Sequence, residues 1–158
     1  MIREKRLSVF KIRRALAEIL ATAQTIVVLL EDLEKVIGYD STYKRYHRIM
    51  RQFISQGEFI QRSSRRYELT SKGAVKLLPV IRPHLTKDGN TRILIFDVPE
   101  TRRGVRNQFR DRIKMLGFRL HQKSVWVSKY DCEKWLDKVV EYYRLQDCVA
   151  LYIGKRAI

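Results

Sequence analysis

The sequence predicts an α+β chain in two parts: a helical half closed by a β-hairpin, and a second half of βαββαβ order. Three observations carry that reading. Up to about residue 80 the apolar residues recur mostly at helical spacing, with a short strand–turn–strand stretch near 59–69. From Thr91 the pattern changes to strand-like runs separated by two amphipathic helices. Between them, Pro79 to Asn90 holds Pro79, Pro83, Gly89 and several polar residues, the composition of a linker. The predicted boundaries are 1–80, a linker at 81–90, and 91–158.

Charge narrows the function classes. Lys plus Arg is 33 against 17 Asp plus Glu, a net charge of +16. Such a field attracts polyanions, and DNA, RNA and anionic membranes all qualify. The uncharged run from Ile19 to Leu30 is too short to span a bilayer and reads as a buried helix, so no membrane partner is expected. Cys132 and Cys148 lie far apart without a C-x-x-C or Cys/His cluster, which argues for free thiols in a reducing cytoplasm and against a zinc site.

In the first half, Val9, Ile12, Leu16, Ile19 and Leu20 mark one helix, and a second apolar stretch runs from Ile26 through Ile37 to Gly38, the expected left-handed terminator. Asp40 and Ser41 are N-cap candidates for a third helix. There Tyr43, Tyr46, Met50 and Phe53 form an apolar stripe, and Lys44, Arg48 and Arg51, extended by Arg45, form a basic one. A helix fixed by one greasy face can hold guanidinium groups toward phosphates and guanine edges in a major groove. Gln56-Gly57 closes it. Phe59–Arg62 and Arg66–Leu69 then read as strands around a Ser63-Ser64-Arg65 turn, with Arg62, Arg65 and Arg66 crowding the tip. Thr70-Ser71-Lys72-Gly73 opens a short helix through Leu78, stopped by Pro79. This order resembles the winged helix-turn-helix of transcription regulators. The resemblance implies binding to double-stranded DNA through Lys44, Arg45, Arg48, Arg51, Arg62, Arg65 and Arg66. A helical protein-binding module with a charged face is the competing reading.

In the second half, Arg92–Val98 reads as a central strand buried on both faces. The following helix carries Val105, Phe109, Ile113 and Leu116 on one side and a secondary basic stripe of Arg103, Arg106, Arg110 and Lys114 beside it. Arg112 falls near the apolar side, where it needs an acceptor or an interface. Two short strands follow at 118–121 and 124–128, then a helix capped by Asp131, then a last strand at 148–153. The βαββαβ order is the ferredoxin-like arrangement. About 65 residues make a limited core, which would gain from pairing with a twin.

The residues Arg-Ile-Leu-Ile-Phe-Asp-Val-Pro-Glu at 92–100, Leu-Gly-Phe at 116–118 and Gln-Lys-Ser-Val-Trp-Val-Ser at 122–128 resemble the central domain of the phenylacetate-degradation repressor (PaaX-like) family. That domain is similar to a small CRISPR-associated nuclease-like protein, the dimeric hub of spacer integration. The resemblance implies a homodimer built through the ferredoxin-like domains, and a transcriptional repressor. Family members carry a further C-terminal domain associated with an effector; this sequence ends at Ile158, and no effector pocket is expected.

The same resemblance places Asp97 where the CRISPR-associated family holds a divalent metal. Two such carboxylates across a dimer could share Mg²⁺ and activate water. One carboxylate per chain is thin equipment for that chemistry, with Glu100 the nearest acid and His121 the nearest candidate base. A turn carboxylate bonded to backbone N–H groups near Pro99, or paired with an arginine, is the stronger expectation. The alternatives to a repressor are therefore a metal-dependent endonuclease or integration subunit, and a basic architectural protein without sequence preference.

Overall fold

The computed structural model describes residues 8–38 and 43–158; the side chains of 43–45 lie outside the described set, as do Asp40 and Ser41, the cap candidates. Helix α1, Val9–Thr22, starts at Ser8, whose Oγ accepts from the Lys11 N–H at 3.3 Å. It buries Ile12, Ala15, Leu16, Ala17 and Leu20. The helix ends there, and the run read as one buried helix through Leu30 is broken. Val27–Leu29 is a strand, β1. Its β-branched valines suit a pleated surface better than a helix. Helix α2, Leu30–Ile37, stops at Gly38 with φ 90° and ψ 151°, an extended left-side conformation open essentially to glycine alone, and not the left-handed helical geometry expected.

Helix α3 spans Tyr43–Ser55. Strands β2, Phe59–Ser63, and β3, Arg66–Leu69, form the hairpin. β3 is central: Val28 of β1 lies opposite Tyr67, and Phe59 of β2 opposite Leu69, so the antiparallel order is β1-β3-β2. Helix α4, Ser71–Ile81, is capped by Thr70, whose Oγ1 accepts from the Gly73 N–H at 3.0 Å. It runs through Pro79, where the sequence reading stopped it. Pro79 is exposed in the last turn and forfeits one hydrogen bond, while Leu78 and Ile81 on either side are wholly buried.

The stretch 81–90 holds a 3-10 turn at Arg82–His84, the buried Leu85, and the start of strand β4, Lys87–Phe96. The early start has a cause at Arg92, which is 1% exposed. Its guanidinium bonds both Asp88 oxygens, at 2.5 and 2.7 Å, and Glu133 Oε1 at 2.7 Å. Arg92 holds the Asp88 carboxyl far below the usual range. Helix α5 is Arg103–Met115, strand β5 Arg119–Gln122, strand β6 Val125–Tyr130, helix α6 Glu133–Tyr143 and strand β7 Val149–Gly154. Asp131 does not cap α6. Its carboxylate lies 3.7 Å from Arg92, and Cys132 precedes the helix without a side-chain cap. The antiparallel order is β5-β6-β4-β7. Both cysteines are free, and burial pushes the Cys132 thiol up to about 12.

β4 is central, but it is covered on one face only. Leu94, Phe96 and Arg92 are buried with Trp126 and Ser128, whereas Ile93 is half-buried and Ile95 is 41% exposed. The two halves share one core through α4, which packs on both α1 and α6. Lys134 of α6 ties them further, its ammonium donating to the carbonyls of Leu20, at 2.5 Å, and Ala23 at the end of α1. A cation there satisfies orphan carbonyls and complements the helix dipole. Lys134→Ala is expected to cost about 1–2 kcal/mol in urea denaturation. A loss below about 0.3 kcal/mol would show that apolar packing alone joins the halves.

Candidate nucleic-acid interface

Helix α3 is held from beneath. Tyr46, Ile49, Met50 and Phe53 are buried, and the Tyr46 hydroxyl donates to Glu34 Oε1 of α2 at 3.1 Å. At its C-terminal end Phe53 stacks on Phe59 of β2, ring centroids 6.2 Å apart, and the Arg13 guanidinium lies 4.6 Å over the Phe53 ring. Arg13 also grips Glu58, a wholly buried carboxylate, at 2.8 and 3.0 Å, and Lys76 of α4 approaches it at 3.4 Å. A buried carboxylate needs such partners. The result is one rigid joint linking α1, α3, the hairpin and α4.

On the outer side of α3, Arg48 and Arg51 are exposed, and neither makes an ion pair among the described residues. The side chains of Lys44 and Arg45 lie outside those residues. The hairpin arginines differ. Arg62 Nε donates to Glu68 Oε2 at 2.6 Å and holds that carboxyl below its usual range. Arg65 Nη1 donates to Glu31 Oε1 at 3.3 Å. Arg66 is exposed with no direct ion pair among the described residues. Of the predicted set, then, Arg48, Arg51 and Arg66 are exposed without a direct ion pair among the described residues, while Arg62 and Arg65 are partly neutralised.

The secondary stripe on α5 is also largely compensated. Glu100 lies 2.9 Å from Arg106 and 3.9 Å from Arg103, and Asp111 lies 3.7 Å from Lys114, which leaves Arg110. Arg112 finds its acceptor in the Tyr143 hydroxyl at 3.3 Å. Sequence reasoning missed Arg102, whose guanidinium bonds the Tyr143 and Arg144 carbonyls at the end of α6, at 2.6 and 3.2 Å. It also did not pair the acids Glu31, Glu68 and Glu100 with their arginines. Only Glu100, three and six residues before its arginines at a helix start, carried a local signal.

Asp97 is exposed just past β4, its N–H donating to the Cys148 carbonyl at 3.0 Å. Its carboxylate makes no hydrogen bond or ion pair among the described residues, so neither the turn bonds near Pro99 nor an arginine holds it. No group of three or more His, Cys, Asp and Glu side chains that could hold a metal ion occurs among those residues. Two residues before it, Ile95 opens an apolar strip: Ile95 lies opposite Val125 and Ala150, and Ile93 opposite Val127 and Tyr152. Cross-strand partners share a face, so this is the side of the sheet that α5 and α6 leave bare. Lys87, Lys129, Lys155, Arg156 and His121 border it. No helix among the described residues is long and apolar enough to cross a membrane.

Comparison with curated proteins returns no match, nor does comparison with solved structures. Residues 84–157 match the family model described as PaaX protein central Cas2-like domain. Those residues hold the entire four-stranded sheet and both of its helices, so this part of the chain is similar to the central Cas2-like domain of the PaaX protein.

Proposed function

We propose that the protein is a sequence-specific double-stranded DNA-binding transcription regulator, a repressor, acting as a homodimer in the cytoplasm. The observation that carries the reading is α3: Arg48 and Arg51 stand exposed, without an ion pair among the described residues, on a helix whose opposite face is locked into the core. The helix–strand–helix–helix–hairpin order with sheet order β1-β3-β2 supports a winged helix-turn-helix over residues 8–81. Order βαββαβ with sheet order β5-β6-β4-β7 supports a ferredoxin-like domain after it. The bare apolar strip of Ile93, Ile95, Val125, Val127 and Tyr152 supports pairing with a second copy. A two-fold dimer would present two α3 helices to two half-sites.

The test is selection from random duplex DNA, with and without Mg²⁺, sequencing the bound fraction while checking the pool for cuts. An enriched palindrome in intact DNA is the expected result. Binding without enrichment would leave an architectural protein. One observation favours the nuclease alternative: Asp97 is an exposed carboxylate with no partner among the described residues, beside the strip where two copies would meet. Mg²⁺-dependent cutting that vanishes in Asp97→Ala would establish it. For the dimer, Ile95→Asp is expected to give a folded monomer in analytical ultracentrifugation at about 10 μM and to weaken palindrome binding at least tenfold, since a buried unpaired charge opposes association. An unchanged dimer would move the interface elsewhere.

A further inference from the structure

Apolar burial seats α3 on the core, but such burial is non-directional. Directional contacts fix the helix near its ends. Near the start, the Tyr46 hydroxyl donates to Glu34 of α2 at 3.1 Å. Near the end stands Arg13 of α1, with its side chain 19% exposed. It reaches α3 by two routes. Its guanidinium carbon lies 4.6 Å over the Phe53 ring. Its two terminal nitrogens meet Glu58, Nη1 at 2.8 Å from Oε2 and Nη2 donating to Oε1 at 3.0 Å. The Glu58 N–H in turn donates to the Phe53 carbonyl at 2.8 Å, so Arg13 grips the residue that closes α3. A guanidinium can lie on a ring and fork a carboxylate at once, whereas an ammonium is a point charge. Lys76 also approaches Glu58, at 3.4 Å, but only as such a charge.

We infer that Arg13 is a positioning residue for the reading helix: it sets the angle of α3, and so where Arg48 and Arg51 stand. This role rests on the reading of the protein as a DNA-binding regulator. Tyr46 and Phe53 lie about 10 Å apart along the helix, and both arginines fall between them. If the Phe53 end slips by about 1 Å about a pivot at Tyr46, Arg51 moves by about 0.7 Å. That exceeds the roughly 0.5 Å within which a recognition geometry must be held. A bidentate bond to a base edge fails under such a shift, while a contact to a phosphate follows it. The loss therefore falls on the specific site and spares duplex of arbitrary sequence.

The test compares wild type, Arg13→Lys, Phe53→Leu and Lys76→Ala by fluorescence anisotropy on random duplex and on the duplex enriched by selection. Titrations run at about 10 °C, near maximum stability, with a thermal melt of each variant. Arg13→Lys keeps the charge, so its affinity for random duplex is expected to stay within about twofold, with an unchanged salt slope. Affinity for the enriched duplex is expected to fall about tenfold, within what one bidentate base contact contributes. Phe53→Leu leaves Glu58 gripped but removes the ring, and is expected to lower specific affinity about fivefold. Lys76→Ala is expected to lower the melting temperature and to leave the ratio of the two affinities within about twofold. A residue that only stabilises the fold moves the melt and leaves that ratio alone where every molecule is folded. An unchanged ratio in Arg13→Lys would overturn the inference and leave the regulator reading intact. Should Arg13→Lys lose its cooperative melt, Phe53→Leu decides by the same criterion. If wild type enriches no duplex, the regulator reading fails, and the role of Arg13 fails with it.

Discussion

Arg48→Ala with Arg51→Ala is expected to weaken binding to the cognate duplex by roughly a hundredfold or more. A well-placed guanidinium on a guanine edge contributes about 1–3 kcal/mol of discrimination, and this variant removes two. The fold should be untouched, because both side chains are exposed and neither contributes an ion pair among the described residues. Circular dichroism and melting temperature are therefore the controls, and anisotropy titration on the enriched duplex is the measurement. The matched comparison is Arg103→Ala with Arg106→Ala on α5. Glu100 already compensates those two, so their loss is expected to change affinity less than about threefold. Unchanged affinity in the α3 variant would end the assignment of α3 as the reading helix.

Gly73→Ala is expected to be among the most destabilising single changes in the chain. A β-carbon at residue 73 would sit 2.1 Å from the Glu58 carbonyl oxygen and 2.7 Å from Leu69 Cδ1. The Leu69 methyl can swing away, but the carbonyl cannot. It accepts from the Thr70 N–H at 3.1 Å and from Thr70 Oγ1 at 3.0 Å. The Glu58 side chain is meanwhile pinned by Arg13 and Lys76. Relief must come from moving α4 away from the hairpin, the joint on which α3 also rests. The expected loss is about 3 kcal/mol, the upper range for overpacking, or roughly 10 °C in melting temperature for a chain of this size. Gly104 in α5 is the control: a β-carbon there meets nothing within 4 Å, so Gly104→Ala should be neutral or stabilising. A loss below about 1 kcal/mol for Gly73→Ala would mean that α4 and the hairpin can part cheaply.

Much of this was written locally. The helices announced themselves through apolar residues at spacings of three and four, as in Tyr46, Met50 and Phe53, all buried. The Thr70-Ser71-Lys72-Gly73 stretch marked a helix start, and the βαββαβ order followed from runs such as Arg92–Val98. Strand β1 escaped because three residues between two helices carry no period. It exists because β3 offers a free edge, and that edge is made by residues about 40 positions away. The strand that completes the first sheet was therefore the element least visible beforehand. The apolar run of β4 pointed to burial on both faces, and the structure covers one; hydrophobicity records that a face avoids water without recording what covers it.

The site divides along the same line. Which residues can present charge together was local: Arg48 and Arg51 share a face of α3 because helical geometry alone puts them there. Which arginines meet an acid was set by packing between distant segments. Glu31 lies 34 residues from Arg65, and Glu68 sits across the hairpin from Arg62. Ion pairing depends on distance in space, and folding sets that distance for residues that no periodicity connects.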